Sequence, residues 1–314
     1  MPVNLTHPLI CVVGPTASGK TALAQAMAEK IPAAVLSADS MQVYKGMDIG
    51  TGKIPEAQRS VAYYGLDIVE PGEAFSASLF QAYARPIVEA RDRKGEQTVL
   101  CGGTGFYVRA VIDDFVFPAG EQIDNPIRDF YTTMLQGEGA QAVWNVLNNL
   151  DPESARIIPV GDSKRVIRAL EIHDEGFSYA EQKEQFASIG AYYSSIQIGL
   201  QVEPDVLADR INRRVDVMMD AGLLDEVEAL LSQGFRSAIT SAQAIGYKEF
   251  VSYLDGQTTL TEAVDAVKLA TRRYAKRQRT WFRKDKRIHW LDATDVNLEQ
   301  LCQASFEIID RMSV

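Results

Sequence analysis

The sequence predicts an α/β fold: a mostly parallel sheet with helices packed on it, interrupted by an all-helical insertion. Three observations predict it. Short apolar runs recur, each followed by residues at helical spacing, as parallel strands and their crossover helices require. The first run opens into a glycine-rich turn, Gly14-Pro15-Thr16-Ala17-Ser18-Gly19-Lys20-Thr21, that leads directly into a helix. Between about 114 and 194 strand signals disappear and every strong periodicity is helical.

Leu9 to Val13 is a continuous apolar run and reads as a buried strand, with the helix beginning near Thr21. The turn between them fits G-x-x-x-x-G-K-T at every fixed position, which makes the core P-loop NTPase-like. The glycines let successive backbone N–H groups and the helix N-terminus converge on one anion. Lys20 adds a point charge for phosphate oxygens, and the Thr21 hydroxyl is placed to ligate Mg2+. Read alone, this turn predicts ATP or GTP.

Ala33 to Ser37 is the second strand and runs into the polar and aromatic segment Ala38 to Lys45, where ligands sit in open α/β sheets. A third strand is expected over Gly65 to Val69, ending at Pro71-Gly72, and a helix over Ser76 to Ala90 with Ser76 as its cap. The fourth strand, Thr98 to Cys101, meets Gly102-Gly103-Thr104-Gly105, and Phe106 to Ile112 continues as a helix. Phe115 to Pro126 is irregular, Thr133 to Leu150 reads as one amphipathic stretch, Asp151-Pro152 starts a helix, and Asp162-Ser163 caps Lys164 to His173. Strand character returns at Ser195 to Leu200, followed by a helix from Pro204. The expected organisation is therefore a discontinuous core, 1–113 and 195–314, around an insertion at 114–194.

The composition, 46% hydrophobic and 24% charged in 314 residues, suits a globular protein with a substantial core. Cys11, Cys101 and Cys302 form no paired spacing and are expected as buried thiols in a reducing compartment. The N-terminal residues carry no charged-then-apolar leader pattern and no run of eighteen apolar residues exists, so a cytoplasmic location is expected. His7, His173 and His289 lack zinc-ligand spacing.

The net charge of −10 argues against a polyanionic partner, but its distribution argues for one. From Arg272 to Arg287 stand nine cations, including Lys276, Arg277, Arg279 and Arg283, opposed only by Asp285. At helical spacing Arg272, Lys276, Arg279 and Arg283 share one face, while Ala270, Tyr274, Gln278 and Trp281 share another. Lys164, Arg165 and Arg168 form a smaller basic group on the insertion.

Asp39, at the mouth of the second strand, has three readings: a general base, a magnesium ligand, or the cap of a turn. Nearby Gln42 has the amide geometry to bond an adenine edge, and Tyr44 offers a stacking face. In the cluster at Gly102 to Gly105, Thr104 supplies the only polar side chain, and a plain turn is the alternative reading.

These residues resemble one family, the tRNA dimethylallyltransferases, also called tRNA isopentenyltransferases. The matching blocks are GPTASGKT at Gly14, SADSMQVYKGMDIGTGK at Ser37, LDIVEP at Leu66, GGTGFYVRA at Gly102, DSKRVIRALE at Asp162, RVDVMMDAGLLDEV at Arg214, AIGYKE at Ala244 and TRRYAKRQRTWFR at Thr271. They span almost the whole chain in the family's order. The chain departs from the family at Tyr63-Tyr64, where a histidine pair is common, at Gly52 and Ile54 around Lys53, and at Ile158; these departures are expected to bear on packing and loop contacts.

The resemblance implies transfer of a dimethylallyl group from dimethylallyl diphosphate to the exocyclic amine of the adenosine just 3′ of the tRNA anticodon, at position 37. It implies that the P-loop, Gly14 to Thr21, holds the diphosphate with Mg2+, that Asp39 accepts the amine's proton, and that Thr104 assists. It further implies a tRNA-binding role for the helical insertion. Residues implied to touch the anticodon stem-loop are Asp39, Ser40, Met41, Gln42, Thr104, Arg128, Ser163, Lys164, Arg165, Val166, Ile167, Arg272, Lys276, Arg277, Gln278 and Arg279. Two other readings of the P-loop stand beside this one. A small-molecule kinase would want a four-apolar-then-Asp strand, which only Leu66-Asp67 and Val35 to Asp39 approach. A nucleotide-dependent RNA-binding switch would use Lys20 and the basic face but leaves Asp39 to Gln42 without a role.

Overall fold

The computed structural model describes residues 3–117, 125–232, 235–238 and 240–312. The irregular stretch expected over Phe115 to Pro126 falls mainly on 118–124, outside the described residues. The chain divides into two compact units, Met1–Asp114 with Ala191–Val314, and Phe115–Gly190.

In the first unit β1 (Leu9–Val13) leads to α1 (Lys20–Lys30), β2 (Ala33–Ser37), β3 (Tyr63–Tyr64), α2 (Ala77–Asp92), β4 (Gln97–Gly102) and α3 (Gly105–Ile112). The second unit holds α4 (Pro126–Glu138), α5 (Ala140–Leu150), α6 (Pro152–Ile157), α7 (Ser163–Asp174) and α8 (Tyr179–Ser188). The chain then returns through β5 (Ser195–Gln201), α9 (Pro204–Asp220), α10 (Leu223–Ser232), α11 (Lys248–Leu254), α12 (Leu260–Phe282), β6 (Ile288–Asp292) and α13 (Leu298–Met312).

The six strands form one parallel sheet in the order β3-β2-β4-β1-β5-β6. The central strands are buried on both faces, which is why β1 is an unbroken apolar run. Residues such as Ile10, Val12, Val99 and Ile198 meet Leu23 and Met27 of α1 in one core. Because β2, β4 and β1 are neighbours, the segments leaving their carboxyl ends meet at one edge of the sheet, where ligands bind in open α/β folds. Among the described residues no helix is long and apolar enough to cross a membrane.

Three expectations are corrected. The third strand is Tyr63–Tyr64, not Gly65 to Val69: Gly65 at φ +82° and Asp67 at φ +54° leave the extended region, and only Val69 makes a bridge, to Tyr44. The stretch Thr133 to Leu150 is two helices, because Gly139 at φ +84° and ψ 173° breaks the chain between them. The edge strand β6, Ile288–Asp292, which is buried only at Ile288, is an addition to the expected strands.

Ser76 caps α2 by accepting the Leu79 N–H, and Asp162 caps α7 through Arg165. The chain leaves the first unit just after Asp113 and re-enters at Ala191, and these two residues pair in an antiparallel bridge. Asp113 is fully buried there, accepting from Arg109 Nε at 2.6 Å and Arg287 Nη1 at 2.5 Å, so its charge is neutralised.

The helical unit packs Val143, Leu147, Val166 and Leu170 into its own core. Glu171, 1% exposed, receives Arg128 Nη2 at 3.0 Å and Arg168 Nη1 at 2.9 Å. Burial works to raise the Glu171 pKa, but the two guanidinium groups outweigh it and hold the carboxyl below the usual glutamate range.

Candidate active site

The P-loop owes its path to backbone that few residues adopt. Gly14 lies at φ +145°, and a Cβ there would stand 2.7 Å from the Leu200 carbonyl of β5; Gly19 lies at φ +93°. No side chain caps α1, so its first N–H groups remain available to an anion. The Ser18 hydroxyl is buried within the loop without a hydrogen-bond partner among the described residues. Lys20 Nζ donates to the Pro15 carbonyl at 2.8 Å. Burial lowers the Lys20 pKa, with Cys101 and Asp39 opposing the shift and Arg214 adding to it.

Asp39 follows β2, and its Oδ1 accepts the Met41 N–H at 2.9 Å. It therefore caps a turn and at the same time faces a cavity of about 660 Å³ that is also walled by Lys20, Thr21, Ser40, Met41 and Gln42. Thr104 Oγ1 accepts the Ser40 N–H at 3.0 Å, which ties the segment after β4 to the segment after β2. Gly102 has to be glycine, since a Cβ would lie 2.1 Å from the Ala38 carbonyl.

From α12, Gln278 is buried and accepts the Thr16 N–H at 2.9 Å while donating to the Gly103 carbonyl at 2.9 Å. It shares the cavity wall with Tyr274, Arg273 and Arg277. Burial pushes the Tyr274 hydroxyl up to about 12, with the Asp39 charge adding to the shift and hydrogen bonds to Thr104 and Gln278 moderating it. From α9, Arg214 reaches the Thr51 carbonyl at 3.4 Å and lies against Gly52, where a Cβ would meet its Nη2 at 1.8 Å. Burial lowers the Arg214 pKa, and Asp39 counters this. Among the described residues the wall thus carries Lys20, Arg214, Lys248, Arg273 and Arg277 against the single carboxylate of Asp39. An excess of cations around one acid suits a polyanion approached by a proton acceptor.

The other expected site residues differ in how far they are free to meet a ligand. Tyr44 is fully buried and offers no stacking face. The Gln42 amide is engaged, Oε1 accepting from Ser37 Oγ at 2.8 Å and Nε2 donating to Thr51 and Gly52 carbonyls at 3.2 and 3.3 Å. On the basic helix Lys276 and Arg283 are exposed, Arg272 donates to Asn212 Oδ1 at 2.5 Å, Arg279 is half-buried, and Arg273 and Arg277 turn to the cavity. Trp281, expected beside Gln278, is 43% exposed over Gly105. In the helical unit Arg128 is committed to Glu171, Val166 and Ile167 are core side chains, and Ser163, Lys164 and Arg165 open α7 with the two cations exposed. The departures from the family at Gly52, Ile54 and Tyr63 line the cavity, so they touch the site and not packing alone. Arg273 and Lys248 join the site without a role expected from sequence: both lie within the matching blocks at Thr271 and Ala244, and a cavity-facing i, i+4 pair such as Arg273 and Arg277 is hard to single out in a strongly basic run.

Fold and site together define a P-loop α/β protein whose phosphate cradle opens toward a carboxylate. Family models described as IPP transferase and Isopentenyl transferase match residues 42–285 and 8–62. The tRNA dimethylallyltransferase of Halalkalibacterium halodurans is 44% identical over 294 residues, 93% of either chain. That of Bacillus subtilis is 41% identical over 93% of this chain and 92% of its own. Among solved structures, the full-length tRNA isopentenylpyrophosphate transferase from Bacillus halodurans superposes with a TM-score of 0.72 at 40% identity, covering 98% of both chains. A eukaryotic dimethylallyltransferase acting on tRNA superposes at 0.82 with 27% identity, over 98% of this chain and 80% of its own. The chain belongs to the IPP transferase family, the tRNA dimethylallyltransferases.

Proposed function

We propose that this protein transfers the dimethylallyl group of dimethylallyl diphosphate to the N6 amine of the adenosine 3′ to the anticodon, position 37, in cytoplasmic tRNA. The observation that carries the reading is the cavity in which Lys20 and Thr21 face Asp39: an anion cradle and a proton acceptor share one space. The transferred group is carbon and the diphosphate leaves, so the P-loop acts on the leaving group and no phosphoryl moves.

The P-loop N–H groups, Lys20 and Arg214 would bind the diphosphate and stabilise the charge that grows as the allylic C–O bond breaks. The residues fit a magnesium diphosphate: the buried Ser18 hydroxyl has no partner among the described residues, and Thr21 stands in the first turn of α1. Among the described residues no group of three carboxylate, histidine or cysteine side chains could hold a metal, so Thr21 and the diphosphate oxygens would provide its ligands. When bound, Mg2+ supplies further charge neutralisation to the departing diphosphate.

Asp39, with Oδ1 fixed by Met41, would orient the amine and accept its proton; Thr104 would hold the Asp39–Gln42 segment through Ser40. Because an adenine amine is a poor nucleophile, orientation contributes at least as much as basicity. The base must leave its stack to enter the cavity. Lys276, Arg277 and Arg279 on α12 would grip the anticodon stem-loop, and on the inserted helical domain Ser163, Lys164 and Arg165, at the exposed start of α7, would contact the RNA, while Val166, Ile167, Arg128 and Arg272 would hold those segments in place.

The test is incubation with Mg2+, unmodified tRNA and radiolabelled dimethylallyl diphosphate, with ATP as control. Label in the RNA is the expected result. Phosphate transfer from ATP, or no covalent product, would sink the proposal.

A further inference from the structure

The block that begins at Arg214 contributes, near its end, one residue for which the reaction above gives no role. Glu226 of α10 accepts three successive backbone N–H groups, from Asp48 at 3.0 Å, Ile49 at 2.8 Å and Gly50 at 3.1 Å, and the Tyr247 hydroxyl at 2.6 Å. Tyr247 is fully buried, and its ring lies against Gly50, where a Cβ would come within 2.5 Å. A carboxylate closing a concave run of N–H groups is the arrangement that binds free anions elsewhere; here the anion is the protein's own.

What the carboxylate fixes is the far side of the same loop. The next two carbonyls, of Thr51 and Gly52, accept from Gln42 Nε2, and that of Thr51 accepts from Arg214 Nη2. Lys53, whose buried ammonium donates to Asp48 Oδ1 at 2.6 Å and Asp67 Oδ1 at 2.5 Å, closes the loop at its end. Gly50, Thr51, Gly52, Gln42 and Arg214 all line the cavity, although Glu226 does not. The loop therefore has its N–H groups on Glu226 and its carbonyls on two cavity side chains.

We propose that Glu226 is a positioning residue, which sets the Arg214 guanidinium for the diphosphate by holding the 48–52 backbone. The proposal rests on the reading of the cavity as a diphosphate site. In Glu226→Gln an NH2 replaces one acceptor oxygen and faces N–H or O–H donors, so the loop shifts and Arg214 loses its carbonyl. Tyr247→Phe removes one of the four donors and leaves the three N–H bonds.

The experiment is calorimetric binding of inorganic pyrophosphate with Mg2+ to the full chain, alongside steady-state kinetics. Glu226→Gln weakens pyrophosphate binding about tenfold and raises the KM for the prenyl diphosphate similarly, with kcat within about twofold. Tyr247→Phe shifts both in the same direction by a smaller factor, and it tests the relay should Glu226→Gln not fold. In an Arg214→Ala background, Glu226→Gln adds less than about twofold, since the residue it acts through is gone. A merely structural role would lower the active fraction, reducing apparent kcat with KM unchanged. That outcome, wild-type pyrophosphate affinity in Glu226→Gln, or fully additive effects with Arg214→Ala, would overturn the proposal. Pyrophosphate binding without prenyl transfer would overturn the assigned reaction and leave the relay standing, while a wild-type protein that binds no pyrophosphate would overturn the relay.

Discussion

The side-chain oxygen of Gln278 accepts the backbone N–H of Thr16 at 2.9 Å, joining α12 to the P-loop across 262 positions of sequence. The same amide donates to Gly103, so one side chain ties the phosphate cradle to the segment carrying Thr104. Gln278→Leu strands the buried Gly103 carbonyl and frees the half-buried Thr16 N–H, which can turn to water in the cavity, and is expected to cost about 1 to 3 kcal/mol. Urea unfolding checks this; a loss below about 1 kcal/mol would mean that the two backbone groups find other partners.

Lys20 gives a pH dependence. Its pKa lies below the ordinary 10.5 because burial disfavours the charged form. Between the lowered folded value and the unfolded one the unfolded chain binds more protons, so the ligand-free protein gains stability as pH rises through that window. Anion binding needs the charged form, so pyrophosphate affinity falls over the same window. Lys20→Arg should flatten that fall, since a guanidinium stays charged, and a titration by calorimetry distinguishes the two.

Asp39→Ala is expected to leave tRNA binding within about threefold and to reduce turnover about 10²- to 10⁴-fold, the range associated with a positioned proton acceptor. Filter binding and single-turnover labelling measure the two separately. Retained turnover would return Asp39 to the turn cap that its bond to Met41 makes it.

The exposed cations of α12 and its end make a different prediction from their half-buried neighbour. Lys276→Ala with Arg283→Ala should weaken tRNA binding and lower the salt slope by about 1 for each RNA phosphate that is no longer neutralised. Arg272, bonded to Asn212, should cost stability when replaced and change the slope less. Equal slopes for wild type and the double variant would make this face an ordinary solvated one.

Much of this is legible from residues alone, for reasons particular elements make plain. β1, β2 and β4 are readable because central parallel strands are buried on both faces and so carry apolar runs, and β5 because Ile196, Ile198 and Leu200 alternate with Gln197 and Gly199. The edge strands β3 and β6 escape such a reading, since they bury less and have weak patterns. Lys20 and Asp39 announce themselves by following strands at fixed spacing. Gln278, Arg214 and Glu226 do not, because their meaning lies in bonds to backbone 163 to 262 positions away, which no local pattern encodes. Tyr44 misleads because an aromatic in a polar segment looks exposed until the core that covers it is known.

The bridge between Asp113 and Ala191 has a consequence for how such a chain can be assembled. Departure and return occur at adjoining, hydrogen-bonded positions, with Tyr192 donating to the Ile112 carbonyl at 2.8 Å. To the sheet, everything from Phe115 to Gly190 is equivalent to a hairpin tip, and its length is nearly irrelevant to closing the loop. A catalytic scaffold with such a doorway can exchange whatever is hung there, shortening or enlarging it, without renegotiating a single strand of the sheet.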